Sequence, residues 1–383
     1  AHRLVELGVP VRLLDAGPSA PGGVIVRAAG NTMYRRMDYG RHHSDRLANP
    51  ATDKVTWISS QSLGGLSNYW TSAVPRFAPE DFTEGERLDT RYRWPVGYDD
   101  LAPAYDRAEG HLQVTAGPSM LGLPDNRAAH RHDPPSDWQE LADRCAANGE
   151  GLGAIPMAKG RPWMVAKRGT EFNSYHCVLA PIESNPLLDL RVDATVTRLI
   201  WSPADSRVTG VEYRDGTTGD VVTTPARAVV LAAGTVDSTA ILLRSTSSDF
   251  PDGLGNTNGV LGRYLHDHPR EWWPADLERP MRALHHPMYL VRRDHDRSEP
   301  LLATSHTVGL IQPRQRLRTY VRAKTSQIGV QVFGTMVPDP DFTVSLEDDP
   351  NRERPTLRLS YDSAAVRTVE ESRERFRQVL GQA

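Results

Sequence analysis

The sequence predicts an α/β chain: an incomplete Rossmann-like nucleotide domain, its first βα turn missing, beside an α+β domain built on an antiparallel sheet. Three observations carry the nucleotide-domain part of this expectation. Val9 to Leu14 forms an apolar strand pattern that ends on Asp15-Ala16-Gly17. Ala228 to Leu231 forms a second, which runs through Ala232-Ala233-Gly234-Thr235 into the helical pattern of Ile241, Leu242 and Leu243. Between them lie four alternating segments bounded by turn residues. At 383 residues the chain exceeds one typical domain and can bury a substantial core.

In chain order, Ala1, Leu4 and Val5 share one helical face, Gly8 serves as the helix stop, and Val9 to Leu14 reads as a buried strand. Asp15 stands at that strand's end. An acidic group there hydrogen-bonds ribose hydroxyls in dinucleotide folds, and Ala16-Gly17 lets the chain turn away; the same residues also suit an ordinary strand-end turn. The next informative stretch, Gln61 to Thr71, sets Gly64 and Gly65 beside Ser67, Asn68, Tyr69, Trp70 and Thr71. Paired glycines admit backbone N–H groups close to a pyrophosphate or a flat ring, although a Gly-Gly turn followed by aromatics is by itself also a surface turn. Leu187 to Val192, Val196 to Trp201, Val208 to Arg214 and Val221 to Thr224 alternate as strands, with turns at Asp205-Ser206 and Asp215-Gly216. At Gly234 a helix N-terminus is aimed past the strand end, a geometry suited to an anionic diphosphate or to a plain βα unit.

Together with Gly259 to Pro269, these segments resemble glucose-methanol-choline (GMC) oxidoreductases, in particular their pyranose-oxidase-like branch. The Gly64-Gly65-x-Ser67-x-x-Trp70-Thr71 pattern matches the family loop that borders the isoalloxazine, and Gly262-Arg263-x-Leu265-x-Asp267-His268-Pro269 its segment near the flavin. The resemblance implies FAD, held without a covalent bond because Tyr69 stands where some relatives carry a linking His. It also implies cofactor roles for Asp15, Ala16, Gly17, Leu63, Gly64, Gly65, Ser67, Asn68, Tyr69, Trp70, Thr71, Val196, Ala233, Gly234, Ser238, Asp267 and His268. Thr71 takes the position whose hydroxyl approaches N5, and Val196 the one whose backbone meets adenine. Against the family pattern the chain reads as truncated at both ends. The glycine turn is expected just upstream of Ala1 and the catalytic His beyond residue 383. No catalytic residue is therefore assigned, and this chain alone is expected to be inactive.

The family pattern divides the chain into an FAD-binding domain, residues 1–75 with 186–270, and a substrate domain, residues 76–185 with 271–383. Trp94 to Leu101, leading into a helical run from Ala102 to Leu112, resembles a stretch of sugar-oxidising relatives; Tyr98, Leu101 and Tyr105 at helical spacing read first as packing. Met120 to Pro135 reads as a surface loop. The region Thr304 to Leu359 is expected to form the large sheet, with Gln327 to Phe333 and Thr356 to Leu359 as strands, and Gln331 is the candidate sugar contact. The final pattern, Ser363 to Leu380, places Val366, Val369, Phe376 and Leu380 on one face of an amphipathic helix capped by Gly381. His42-His43 and His130-x-His132-Asp133 lack further ligands at suitable spacing and read as surface histidines, so no metal is expected.

Composition narrows the function class. A net charge of −3 offers no basic face to nucleic acid. No apolar run approaches the roughly 20 residues that span a bilayer. Two cysteines make no disulfide framework, which favours a cytoplasmic location. The expected activity is oxidation of a secondary alcohol of a sugar or glycoside by hydride transfer to flavin N5, with oxygen or another electron acceptor, and a homo-oligomer is compatible with the sequence. A dehydrogenase of the same family, passing electrons to a cytochrome or quinone, and a noncatalytic flavin-fold fragment are the alternatives. A nicotinamide reductase is disfavoured for want of a second glycine-rich loop.

Overall fold

The computed structural model of the chain describes residues 1–18, 41–42, 60–68, 70, 72–118, 123–131, 133–134, 136–148, 151–158, 172–281, 288–291, 309–313, 325–347, 349, 351 and 354–382. They fall into two compact units. Ala1–Trp70, Asn173–His266 and Pro338–Ser360 make the first, and Thr71–Phe172, Asp267–Val337 and Tyr361–Ala383 the second.

The first unit opens on the short helix His2–Glu6, which ends at Gly8 with φ 76°. Val5 is buried, whereas Leu4, expected on the same face, is exposed. The strand that follows is Val11–Leu14, paired in parallel with Leu188–Arg191. It is shorter and more open than the buried strand expected from Val9. Among the described residues it has a ladder partner on one side only, so Val9 stays exposed and Val11, Leu13 and Leu14 are half-buried. An antiparallel meander of Ala194–Ser202, Arg207–Asp215 and Val221–Pro225 packs Leu199 and Val211 against Ile241 of the helix Thr235–Arg244. Burying each such side chain contributes about 1.5–3 kcal/mol.

Ala228 to Leu231, expected as a strand, joins no ladder among the described residues. Its two-residue alternation survives. Val229 and Leu231 pack into the meander core while Val230 is 77% exposed. The pair Thr343–Ser345 and Thr356–Arg358 also belongs to this unit, which corrects the placement of Thr356 to Leu359 in the large sheet. It is seated on the Gly259 to His266 segment: Val344 N–H donates to Gly262 O (2.7 Å) and Leu265 N–H to Phe342 O (2.9 Å).

The second unit is built on a five-stranded antiparallel sheet in the order Arg270–Met281, Thr325–Phe333, Gly309–Pro313, Met288–Val291, Gly151–Ala154. Its core joins Leu152, Ala154, Val330 and Val332 of the sheet to Trp138, Ala142 and Cys145 of the helix Ser136–Ala147. Burial pushes the Cys145 thiol up to about 11. The helix Ser363–Gln382 adds Val369, Phe376 and Val379. Val366, expected on that face, is exposed, and Ala365 and Val379 are buried in its place, since the stripe 365, 369, 372, 376, 379 follows the 3.6-residue period and 366 lies about 100° to one side. Gly381 lies within the helix, not after it.

The helix Tyr98–Leu112 starts four residues before the expected Ala102, because the Asp100 carboxylate accepts the Gly97 N–H (2.8 Å) and satisfies the first turn. Tyr98 and Tyr105 stack at 6.0 Å, and Trp94 and Phe82 meet edge to face, which is a packing arrangement. Arg76 anchors the chain to this helix through Glu109 (2.8 and 2.6 Å), Asp106 (2.6 Å) and Tyr98 Oη (3.1 Å). Arg76 and Glu109 are both buried, so removing one partner alone costs about 3–5 kcal/mol. A three-stranded sheet places Val114–Ala116 between Met157–Ala158 and His130–Arg131. His130 is thus in a strand and half-buried, not in the surface loop expected over 120–135.

Candidate functional site: an acidic turn against a glycine elbow

In the first unit the strand Val11–Leu14 delivers Asp15 into a tight turn. The Asp15 carboxylate accepts the Gly17 N–H (2.8 Å), while the Asp15 backbone donates to Arg191 O and accepts from Ala194 N–H (both 2.9 Å). Gly17 O accepts the Asp193 N–H (2.8 Å). Burial raises the Asp15 carboxyl above its ordinary range, opposed by the Gly17 N–H.

Gly17 is where this turn meets the elbow. A Cβ on Gly17 would collide with Ser62 Cα, and the Ser62 N and C atoms would lie 2.7 Å from it, so only glycine admits this contact. Ser62 and Leu63 are buried. Gly64 and Gly65 then take φ 93° and 50°; Gly65 N–H donates to Ser62 O (2.7 Å) in the turn that leads in, and Gly65–Asn68 forms a 3-10 turn in which Ser67 N–H donates to Gly64 O (3.1 Å). Ser67 Oγ donates to Gly64 O (2.5 Å) and pairs with Ser174 Oγ (2.9 Å). Ser174 in turn donates its hydroxyl to Gly64 O (3.2 Å) and its N–H to Ser67 Oγ (3.0 Å). The Ser67 hydroxyl therefore holds the turn. Trp70 donates its N–H to Leu66 O (3.1 Å) and is half-buried; Tyr69 and Thr71 lie outside the described residues, as do His43 and His132.

Gly234 caps the helix Thr235–Arg244 with φ 84° and nothing within 4 Å of its Cβ position. It is exposed, as are Ala232 and Ala233. Ser238 donates its N–H to Gly234 O (2.9 Å). Asp237 occupies the first helical turn. One apolar cluster joins Leu14 of the Asp15 strand, Val196, Leu231 before the Gly234 turn and Ile241 after it. Asp15, the elbow and the Gly234 turn accordingly share one unit, linked by the Gly17 to Ser62 contact and by that cluster.

Asp267, His268 and Gln331 fall in the second unit. The Asp267 carboxylate accepts the backbone N–H of His268 (2.8 Å), not its ring. The His268 ring meets Phe333 edge to face (6.1 Å), and His268 O accepts from Tyr361 Oη (3.3 Å). Burial and then the Asp267 charge raise the Tyr361 hydroxyl. Gln331 lies on Thr325–Phe333, in register with Trp272. Gly334 donates to Pro269 O (2.7 Å) and leaves no room for a Cβ beside Thr368 Oγ1.

One residue of the elbow and one strained residue of the second unit escape the sequence. Ser174 lies 107 residues from its partner Ser67, and a pairing of that span leaves no local pattern. Ser72 is fully buried at φ 63°, and its hydroxyl has no partner among the described residues. A non-glycine residue in that region is strained.

A family model described as GMC oxidoreductase matches residues 24–270, more than half of the chain. The chain belongs to the GMC oxidoreductase family. It is 30% identical over 286 residues to paromamine 6'-oxidase of Streptomyces fradiae, an alignment that covers 69% of this chain and 50% of that protein. It is 27% identical over 239 residues to 2-methyl-1,2-propanediol dehydrogenase of Mycolicibacterium austroafricanum, covering 57% of this chain and 43% of that one. This GMC chain thus spans about half the length of those curated relatives. The crystal structure of pyridoxine 4-oxidase from Mesorbium loti superposes with a TM-score of 0.67 at 18% identity, covering all of this chain and 77% of that one, which shows a shared fold.

GMC oxidoreductases are generally FAD-dependent, and the first unit offers donors and acceptors of the right kind. Asp15, at the carboxyl end of a parallel strand, is an acceptor suited to ribose hydroxyls. The open Gly234 helix end suits a diphosphate, with Asp237 as an opposing charge. These residues fit the cofactor.

Proposed function

We propose that the protein containing this chain is an FAD-dependent oxidoreductase of CH–OH groups, acting on a secondary alcohol of a sugar or glycoside, with noncovalently held FAD. The observation that carries the reading is the junction of the Asp15 turn with the Gly64 elbow through Gly17 and Ser62. FAD, when bound, supplies the two-electron acceptor at N5 for the hydrogen leaving the alcohol carbon. Asp15 and Gly17 would hold the ribose end, and Ala233, Gly234 and Ser238 would lie against the diphosphate. Leu63, Gly64, Gly65, Asn68, Tyr69, Trp70 and Thr71 would border the ring, with Ser67 fixing the elbow. Val196, Asp267, His268 and Gln331 retain the roles that family resemblance implies, and no residue of this chain is assigned as the base. A positioned acceptor for the hydroxyl proton is still required for turnover.

The 2-methyl-1,2-propanediol dehydrogenase relative favours a second reading, in which the electrons pass to a cytochrome or quinone instead of oxygen. Purification of the whole protein tests both. Visible flavin absorbance should survive dialysis and appear in the supernatant after acid precipitation, and anaerobic sugar should bleach it. Reoxidation in air against reoxidation by an artificial quinone separates oxidase from dehydrogenase. A colourless protein that takes up no added FAD overturns the proposal and leaves a noncatalytic flavin fold.

A further inference from the structure

The tip of the hairpin that joins Arg207–Asp215 to Val221–Pro225 holds none of the residues assigned to the cofactor, yet a run of hydrogen bonds within the first unit ties it to them. The tip is braced from within. The Asp215 carboxylate accepts the Thr217 and Thr218 N–H groups (2.8 and 3.2 Å), Asp215 O accepts the Gly219 N–H (2.8 Å), and the Asp215 N–H donates to Asp220 O (2.9 Å). Gly216 then donates its N–H to Asp193 O (2.6 Å), and Asp193 donates its own N–H to Gly17 O (2.8 Å). The Gly17 N–H, in turn, is held by the Asp15 carboxylate (2.8 Å).

Asp193 is the bend in this run. Its φ of 50° lies in the left-handed region, uncommon outside glycine though better tolerated by Asp. From that bend its N–H reaches Gly17 and its C=O reaches Gly216. Neither end has slack. At Gly17 the Ser62 N and C atoms already lie 2.7 Å from the Cβ position. At Gly216 a Cβ would stand 3.1 Å from Asp193 O and 3.2 Å from Asp193 Cβ, inside ordinary van der Waals contact. Gly216 is not at positive φ, so its backbone would admit alanine, and only the contact with Asp193 opposes a side chain. A side chain there must displace Asp193 by a few tenths of an ångström, and Gly17 and the Asp15 carboxylate move with it. Hydrogen bonds weaken steeply with misalignment, so a carboxylate that must meet a ribose diol tolerates little displacement.

We propose that Gly216 is a positioning residue for nucleotide binding: the close seat it leaves for Asp193 sets where the Asp15 carboxylate stands against the cofactor's ribose. The inference rests on the proposed FAD-dependent function and deepens it, since it places control of ribose affinity in a turn outside the assigned binding residues.

In the apo form of the whole protein, FAD affinity is measured by fluorescence titration for wild type, Gly216→Ala, Gly216→Val, Asp15→Asn, and Asp15→Asn combined with each Gly216 change. Gly216→Val should weaken FAD binding about tenfold and Gly216→Ala about threefold. In the Asp15→Asn background neither should add more than about twofold, because the carboxylate that Gly216 positions is gone, whereas independent sites would add in full. Gly216→Ala carries the comparison if valine prevents folding. Amide exchange in the apoprotein supplies a readout without cofactor: residues 15–18 should exchange faster in the Gly216 variants than in wild type, while Val11–Leu14 keeps its protection, which a general loss of stability would not spare. Equal losses of FAD affinity in both backgrounds, unchanged affinity in the wild-type background, or unchanged exchange over residues 15–18 each overturn the inference. Failure of the wild type to take up FAD defeats the functional reading itself, and this inference with it; any of the former outcomes with wild-type uptake intact defeats this inference alone.

Discussion

Asp15 combines a structural cost with the acceptor that the cofactor reading needs. Its carboxyl is raised by burial, so the native state holds the proton more tightly than the unfolded chain does. Native protein then binds more protons between the unfolded value near 3.9 and the higher folded one, and stability falls as pH rises through that window. Above it the charged group remains a burden. Asp15→Asn keeps an oxygen for the Gly17 N–H and removes the charge. Thermal unfolding from acid to neutral pH should show the variant gaining on wild type as pH rises, with the larger margin at neutrality. Fluorescence titration should show weaker FAD binding by tenfold or more, since the amide is a poorer acceptor for a ribose diol than the carboxylate. Equal FAD affinity would remove Asp15 from the site. At this scale the place of Asp15 in a turn at a strand's end was legible because a single acidic residue followed an apolar run and preceded Ala-Gly. Ser72 was not, because neither its φ nor its isolation leaves a mark on the sequence around it.

Among the elements, the most sensitive joint is that between the Gly259 to His266 segment and the strand Thr343–Ser345. Gly262 has φ 82°, and a Cβ there would strike the Val344 carbonyl oxygen, while the Gly262 carbonyl accepts the Val344 N–H. Gly262→Ala adds left-handed strain of about 1–3 kcal/mol to that collision, and should lower the unfolding temperature of the protein by several degrees. An unchanged unfolding temperature would mean that the strand pair is not held at this glycine. The meander was legible from Val196, Val208 and Val221 because two-residue alternation and the turns at Asp205-Ser206 and Asp215-Gly216 are local signals. The Ala228 to Leu231 segment carries the same alternation without a ladder, for pattern specifies which side chains turn inward and not whether a neighbour is present. Val366 misled for a related reason, being apolar yet just off the buried stripe of its helix.

For the molecule as a whole, FAD that binds the folded state alone should raise apparent stability by about 2.7 kcal/mol at a hundredfold excess over its dissociation constant. Apoprotein titrated with FAD should show that rise in thermal unfolding, and Asp15→Ala should lose most of it at the same FAD concentration. Family membership was legible because its signals lie in short ordered motifs, from the Gly64-Gly65 elbow to Asp267-His268-Pro269. The pairing of Thr343–Ser345 with Thr356–Arg358 in the first unit was hidden, since it joins residues 338–360 to a body that also holds Ala1–Trp70.

That interleaving sets a schedule for biosynthesis. The strand Val11–Leu14 emerges from the ribosome long before Leu188–Arg191, with which it pairs, and the body it belongs to draws on residues as late as Ser360. At about 5–20 residues per second the nascent chain would carry unsealed apolar strands for roughly 20–70 s. Chaperone capture during translation is the natural remedy for such a delay.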